Sequence, residues 1–317
     1  MTGSRLHIVF AERFDEAAIE RMRSVSRVTI LDACDEATLI DAVRDCDALL
    51  VRTYAQVTRA VLEQAGRLRV IGRGGVGLEN IDIEAARQRG IAVVYTPAAG
   101  TEAVADLTVG LMISLLRKVA TGDAMVRGGR FAEARREWCS RDVGELTLGI
   151  VGLGRIGQAV ARRCRHGFGM SILYNDIVQP GPLDFVATSV SKDQLYREAD
   201  VISLHVPLTK LTHHLIDEAA LSKFKAGAIL INTARGAVVD SDALARALCA
   251  GNLTGAALDV FDPEPLPADH PLMTAPNTLF TPHIAARTER SLAGMNAVVE
   301  DVIAVLEGRP PQYPAWT

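Results

Sequence analysis

Short apolar runs alternate with amphipathic segments from residue 6 onward. "LHIVFA" at 6–11 is strand-like in length and content, and "DEAAIERMRS" behind it spaces its apolar positions as a helix does. The alternation repeats as "RVTIL" then "DEATLIDAVRD", "ALLVR" then "VTRAVLEQA", "RVIGR" then "NIDIEAARQRG", and finally "IAVVYT". Strands separated by helical patterns predict βαβ units and a parallel sheet.

A second series begins near 147, with "TLGIVG", "MSILYN", "DFVATS", "VISLHV", "AILINT", "GAALDV" and "TLFTPH" as strands. Helical segments divide the earlier ones: "GRIGQAVARRCRHGF", "SKDQLYREA", "LIDEAALSKF" and "DSDALARALCAG". The interval 262–276 is proline-rich and predicts a loop. A long apolar helix pattern over 100–120 and a closing helix over roughly 288–307 frame this series. The expected architecture is α/β, with two doubly wound parallel-sheet domains. One spans 1–98 and is completed by 288–317; the other spans 99–287.

Composition narrows the class. The 317 residues are 49% apolar, enough for sizeable cores, and no apolar run reaches the length of a membrane span. The start lacks the pattern of a signal peptide. A net charge of −4 gives no electrostatic footprint for nucleic acid. The cysteines number five and none forms a CxxC pair, which argues against disulfides or zinc and for a reducing cytoplasm. No metal site is expected.

Within "TLGIVGLGRIGQAV", Gly152, Gly154 and Gly157 form a GxGxxG pattern between a strand and a helix. The first glycine allows a tight turn, the second close approach of a pyrophosphate, and the third tight helix–strand packing. The anion would sit at the helix N-terminus, where free N–H groups and the dipole favour it. The next strand ends in Asp176, nineteen residues after Gly157, the expected place for an acid on the adenine ribose hydroxyls. An acid there repels a 2′-phosphate, so NAD is preferred to NADP.

Ligands of open α/β sheets bind outside the carboxyl ends of the strands. Polar residues gather at those ends here: Asp176, His205, Arg235, Asp259, then Asp262 and Glu264, and His283. Most have plain alternatives. His205 can cap a loop, Asp262 precedes proline as a turn former, and Glu264 can be a solvated acid between prolines. Tandem His213 and His214 read as a helix start. Arg235, Glu264 and His283 taken together suit hydride chemistry on a carbonyl acid. Histidine supplies the proton the carbonyl oxygen needs, a carboxylate beside it favours its protonated form, and arginine grips a substrate carboxylate with its planar fork. The first domain offers Arg52 and the run Gly74–Gly77 at its strand ends. Those glycines expose N–H groups to a carboxylate, or form a plain turn; the two readings weigh about evenly.

At this point a resemblance becomes specific. "GLGRIG", "HVPLT", "NTARG", "GAALDVFDPEP" and "TPHIA" follow the order and spacing of the D-isomer-specific 2-hydroxyacid dehydrogenases. "VRTYAQVT", "IGRGGVGLENID" and "TEAVADLTVGLMISLLR" resemble that family's substrate domain and connecting helix, nearest its phosphoglycerate dehydrogenase branch. The resemblance implies a Rossmann NAD domain inserted in a flavodoxin-like substrate domain. It also implies NAD(H)-linked interconversion of a D-2-hydroxy acid and a 2-oxo acid, in a homodimer. It matches Arg235 to the substrate-binding arginine, and Glu264 and His283 to the acid–histidine pair. Arg155 and Ile156 match backbone contacts to the pyrophosphate. His205, Val206, Pro207, Thr233 and Asp259 match cofactor contacts, Asp259 near the nicotinamide amide. Gly75 and Val76 match the loop that meets the substrate carboxylate, with Arg52 nearby. The segment from Trp138 to the first cofactor strand is shorter than is usual in that branch, at a place that borders the hinge and dimer region. Two rivals share the fold: a dinucleotide-sensing protein like the C-terminal binding corepressors, and formate-type dehydrogenases. The latter carry glutamine where this chain has Glu264.

Overall fold

The computed structural model describes residues 6–316, which form two compact units. The first comprises Met1–Gly100 and Arg287–Thr317, the second Thr101–Ala286, beside sequence-based limits of 98/99 and 287/288.

In the first unit the chain runs β1 (His7–Phe10), α1 (Glu16–Arg23), β2 (Arg27–Ile30), α2 (Glu36–Val43), β3 (Ala48–Val51), α3 (Arg59–Glu63), β4 (Val70–Arg73), α4 (Ile83–Gln88) and β5 (Ala92–Tyr95). All strands are parallel, in the order β2-β1-β3-β4-β5. Helix starts follow elementary capping chemistry: Asp15, Asp35, Thr58 and Asp82 each accept the amide three residues on. Because side chains alternate along a strand, Ile8, Phe10, Leu50, Val70 and Val94 enter one apolar layer. Val9, Leu49, Val51, Ile71 and Val93 enter the other.

The second unit begins with α5 (Thr101–Leu116), α6 (Val119–Arg127) and α7 (Phe131–Glu137). It continues through β6 (Thr147–Val151), α8 (Arg155–Phe168), β7 (Ser171–Asn175), β8 (Thr188–Ser189), α9 (Lys192–Glu198), β9 (Val201–Leu204), α10 (Glu218–Leu221), β10 (Ile229–Asn232), α11 (Ser241–Cys249), β11 (Gly255–Leu258) and β12 (Thr278–Phe280). The seven-stranded parallel sheet runs β12-β11-β10-β9-β6-β7-β8. Strand order reverses between β6 and β9, the topological switch point of a Rossmann sheet. The helices α12 (Glu289–Asn296) and α13 (Val298–Leu306) return to the first unit. There Val298, Val302 and Ile303 join the layer of Phe10 and Val70. A Cβ on Gly72 of β4 would stand 2.5 Å from Val302, so α13 packs on the sheet at a glycine.

The structure departs from several sequence expectations. The helix of 100–120 stops at Leu116, and Lys118 turns left-handed (φ 51°) before α6. The Lys118 ammonium lies over the Trp138 ring, and Gly122 faces the same ring, so Trp138 holds the corner. The closing helix is likewise divided at Ala297. The expected strand 184–189 shrinks to Thr188–Ser189 at the sheet edge, while Asp184 pairs with Arg162 of α8. Of 215–224 only Glu218–Leu221 is helical, capped by Asp217. His213 and His214 therefore do not start a helix; they lie in a turn, with their rings stacked. Among the described residues, no helix is long and apolar enough to cross a membrane.

Candidate functional site: strand ends of the second unit

The glycine loop opens the site. Gly152 follows β6 with φ 92°, and a Cβ there would stand 2.6 Å from the carbonyl oxygen of His205. A Cβ on Gly157 would meet the Gly152 oxygen at 2.2 Å, whereas one on Gly154 meets nothing within 4 Å. The first and third glycines are thus demanded by packing, and the second faces open space. Gly154 is the N-cap of α8 and has no side chain to spend on capping. Arg155 and Ile156 form the first turn of that helix, whose amides point at the same space. These residues fit a bound pyrophosphate.

Asp176 stands directly after β7. Its Oδ2 accepts the Leu153 amide at 2.6 Å and its Oδ1 the Val178 amide at 2.8 Å. The acid clamps the glycine loop, and each oxygen keeps lone-pair capacity for a ligand hydroxyl.

Across the switch point, the His205 amide donates to the carbonyl of Val151 (2.8 Å), and Val206 packs against Gly152. The oxygen of Pro207 accepts from the Thr212 hydroxyl. The His205 Nε2 lies 2.8 Å from Ser203 Oγ, and burial pushes the imidazole down to about 3. His205 is a neutral ring near neutral pH.

β10 ends in Asn232, and Thr233 follows, its hydroxyl 2.8 Å from that of Thr108 on α5. Arg235 is half-buried and extended; its Nη1 donates to the Ala234 oxygen and its own carbonyl accepts from Asn232 Nδ2. Gly236 is required here, because a Cβ would stand 1.8 Å from the Phe261 oxygen. The Arg235 loop therefore lies backbone to backbone on the chain that leads to Glu264. The Asp240 carboxylate caps α11 through the Ala243 amide.

Glu264 Oε2 lies 2.9 Å from His283 Nδ1. An ionised carboxylate only accepts, so this bond assigns the proton of the neutral ring to Nδ1 and the lone pair to Nε2. His283 itself has φ 51°, a conformation uncommon outside glycine. Its amide is held by the oxygens of Asp259 (2.8 Å) and Thr281 (3.0 Å). The fully buried Asp259 carboxylate accepts from Thr281 Oγ1 (2.6 Å) and from the amides of Ile284 and Ala285 (both 2.9 Å). One acid thus shapes the whole turn that presents the imidazole. β10, β11 and β12 are neighbours, so Arg235, Glu264 and His283 all follow adjacent parallel strands.

Arg52, Gly75 and Val76 belong to the first unit. Arg52 follows β3, its guanidinium 5.5 Å over the Phe14 ring with Nη2 3.3 Å from Met295 Sδ. Burial pushes the Arg52 guanidinium down, and Arg287 adds to that while Glu12 opposes it. Gly75, at φ 154°, lies against the Arg73 guanidinium, and Val76 is exposed. The Glu12 carboxylate, just past β1, fills the nest of amides of Arg52, Thr53, Tyr54 and Ala55 at 2.8–3.1 Å.

Sequence reasoning missed Ser203, Thr108, Glu12 and Gly236. Strand alternation does put Ser203 on the face of His205, two residues on. The other three depend on partners remote in sequence.

The two doubly wound sheets, one bearing a glycine loop at its switch point and an acid after the next strand, define a dinucleotide-binding α/β protein. Residues 109–285 match the NAD-binding domain of the D-isomer-specific 2-hydroxyacid dehydrogenases. The chain belongs to that family. It is 39% identical over 305 residues to D-3-phosphoglycerate dehydrogenase of Methanocaldococcus jannaschii, covering 95% of this chain and 57% of that one, little more than half its length. It is 42% identical over 279 residues to glyoxylate reductase of Thermofilum pendens, covering 86% and 82%. D-lactate dehydrogenase of Aquifex aeolicus, solved with NAD and lactic acid, superposes with a TM-score of 0.86 at 32% identity, over 95% of this chain and 96% of that one.

Proposed function

We propose that the protein is an NAD(H)-linked D-2-hydroxyacid dehydrogenase that reduces a small 2-oxo acid and oxidises the matching D-2-hydroxy acid. The observation that carries this reading is the Glu264–His283 bond at the end of β12. Bound NADH supplies the hydride. His283 Nε2 gives the proton that the carbonyl oxygen needs, and Glu264 stabilises the imidazolium by holding Nδ1–H. His205 does not compete for that role, because burial keeps its ring neutral. Arg235 takes the substrate carboxylate and polarises the carbonyl.

On the cofactor side we assign the pyrophosphate to Gly152, Gly154, Gly157 and the amides of Arg155 and Ile156, and the adenine ribose to Asp176. His205, Val206, Pro207, Thr233 and Asp259 line the nicotinamide half. In the first unit Gly75, Val76 and Arg52 contact the substrate. The protein works as a homodimer in the cytoplasm, where its five free thiols stay reduced.

The test is loss of NADH absorbance with glyoxylate, hydroxypyruvate, pyruvate and 3-phosphohydroxypyruvate. Turnover of at least one is expected. Tight NADH binding with no turnover on any of them overturns the enzyme reading in favour of a dinucleotide sensor. Sedimentation at micromolar concentration checks the dimer.

A further inference from the structure

Thr108 and Thr233 are 125 residues apart in sequence, yet their hydroxyl oxygens meet at 2.8 Å. Both residues are buried, Thr108 at 1% exposure and Thr233 at 7%. A hydroxyl owns one proton and two lone pairs. The carbonyl of Val104, one helical turn before Thr108, lies 2.7 Å from its Oγ1. A carbonyl can only accept, so it takes the Thr108 proton. Thr108 then presents only lone pairs to Thr233, and Thr233 must donate its proton toward α5. What remains on Thr233 Oγ1 is acceptor capacity alone.

We propose that Thr108 is a positioning residue that fixes the Thr233 hydroxyl as an acceptor, so that the site reads the carboxamide N–H of the nicotinamide. This rests on the reading of Thr233 as a cofactor contact. Thr233 precedes Arg235 by two residues, at the end of β10 where the reacting groups gather. A fixed acceptor turns away phosphate oxygens, which only accept. A ribose hydroxyl donates or accepts with equal ease, so it is served by either state of Thr233 and gains nothing from a fixed acceptor. The amide N–H only donates, so it is the group that a fixed acceptor discriminates. Asp259, the other acceptor expected near the amide, has Oδ1 filled by Thr281 and Ile284, while Oδ2 holds only the Ala285 amide and keeps capacity for a second donor beside Thr233.

The experiment uses reduced 3-acetylpyridine adenine dinucleotide, in which a methyl group replaces the amide nitrogen. Dissociation constants for NADH and for this analogue are measured on the full chain by fluorescence titration. Wild type is expected to prefer NADH by about 3- to 10-fold, the size of one hydrogen bond. Thr108→Val keeps the shape of the side chain and frees the Thr233 proton; it should bring the preference close to unity. Thr108→Ser should restore it. The ratio is taken within each variant, so a smaller folded fraction does not move it. An unchanged ratio in Thr108→Val, with Thr233→Val narrowing it, overturns the role of Thr108 and leaves Thr233 a cofactor contact. If neither variant alters the ratio or the NADH affinity, the assignment of Thr233 fails and the proposal with it.

Discussion

Two histidines follow strands of one sheet, and their surroundings give them opposite chemistry. His205 is half-buried beside Ser203, and desolvation pushes its imidazole down to about 3 from an ordinary 6.5. The unfolded chain therefore binds that proton more readily than the native one. The stability contributed by the neutral ring is complete above about pH 6.5 and is lost as pH falls toward 3. His205→Gln should give a shallower acid limb when chemical-denaturation midpoints are compared from pH 7 down to 4; equal slopes would count against a desolvated neutral ring. His283 instead holds Glu264 through Nδ1. His283→Ala should lower kcat by about 10²–10⁴-fold with NADH affinity little changed, as measured in steady-state reduction of the best 2-oxo acid. Besides the ribose contact proposed for it, Asp176 clamps Leu153 through its carboxylate. Asp176→Ser should narrow the gap between NAD and NADP while weakening NAD itself, both read as ratios of kcat/KM.

Elements were readable in the sequence wherever local pattern and tertiary role agree. The first five strands are short and mostly apolar, β2 the least so, and helix caps follow the first four. The α11 start at Asp240 was readable for the same reason, and Asp240→Ala should cost about 1 kcal/mol in urea unfolding. Where a remote partner decides the outcome, the pattern failed. The apolar stripe of 100–120 runs on past Leu116, but Trp138 and Lys118 form a corner that no periodicity encodes. At the candidate site, residue types at strand ends were visible, while the bonds that orient them were not. Asp259 looked like one more strand-end acid, and its three bonds to the His283 turn appear only in the fold. Gly236 drew no notice in the sequence; its need comes from Phe261, twenty-five residues on. Gly236→Ala forces the two loops apart, so it should destabilise the protein by about 1–3 kcal/mol and lower kcat more than it affects NADH binding.

At the scale of the whole molecule, the chain leaves the first unit at Gly100 and re-enters it at Arg287. The returning segment is structural, because Val298, Val299, Val302, Ile303 and Leu306 of α13 cover one face of the first sheet. Each such side chain contributes about 1.5–3 kcal/mol on burial. Their sum is comparable with the roughly 5–15 kcal/mol by which folded domains are stable. A chain cut after Ala286 should therefore lose the fold of residues 1–100 while 101–286, which is contiguous, keeps its own. Limited proteolysis with mass spectrometry checks this: a protected fragment spanning 101–286 is expected, and protection of both units in the cut chain would contradict it.

The acid that fills the amide nest after β3 has a wider consequence. A sheet of order 2-1-3-4-5 has its natural berth between its first and third strands. In this chain that berth is stoppered by Glu12, a tethered decoy for any free anion. What remains at that edge of the first sheet is the Arg52 guanidinium and the turn after β4 with Gly75 and Val76. Trimming Glu12 to glycine would reopen the berth, and inorganic phosphate or sulfate would be the natural tenant.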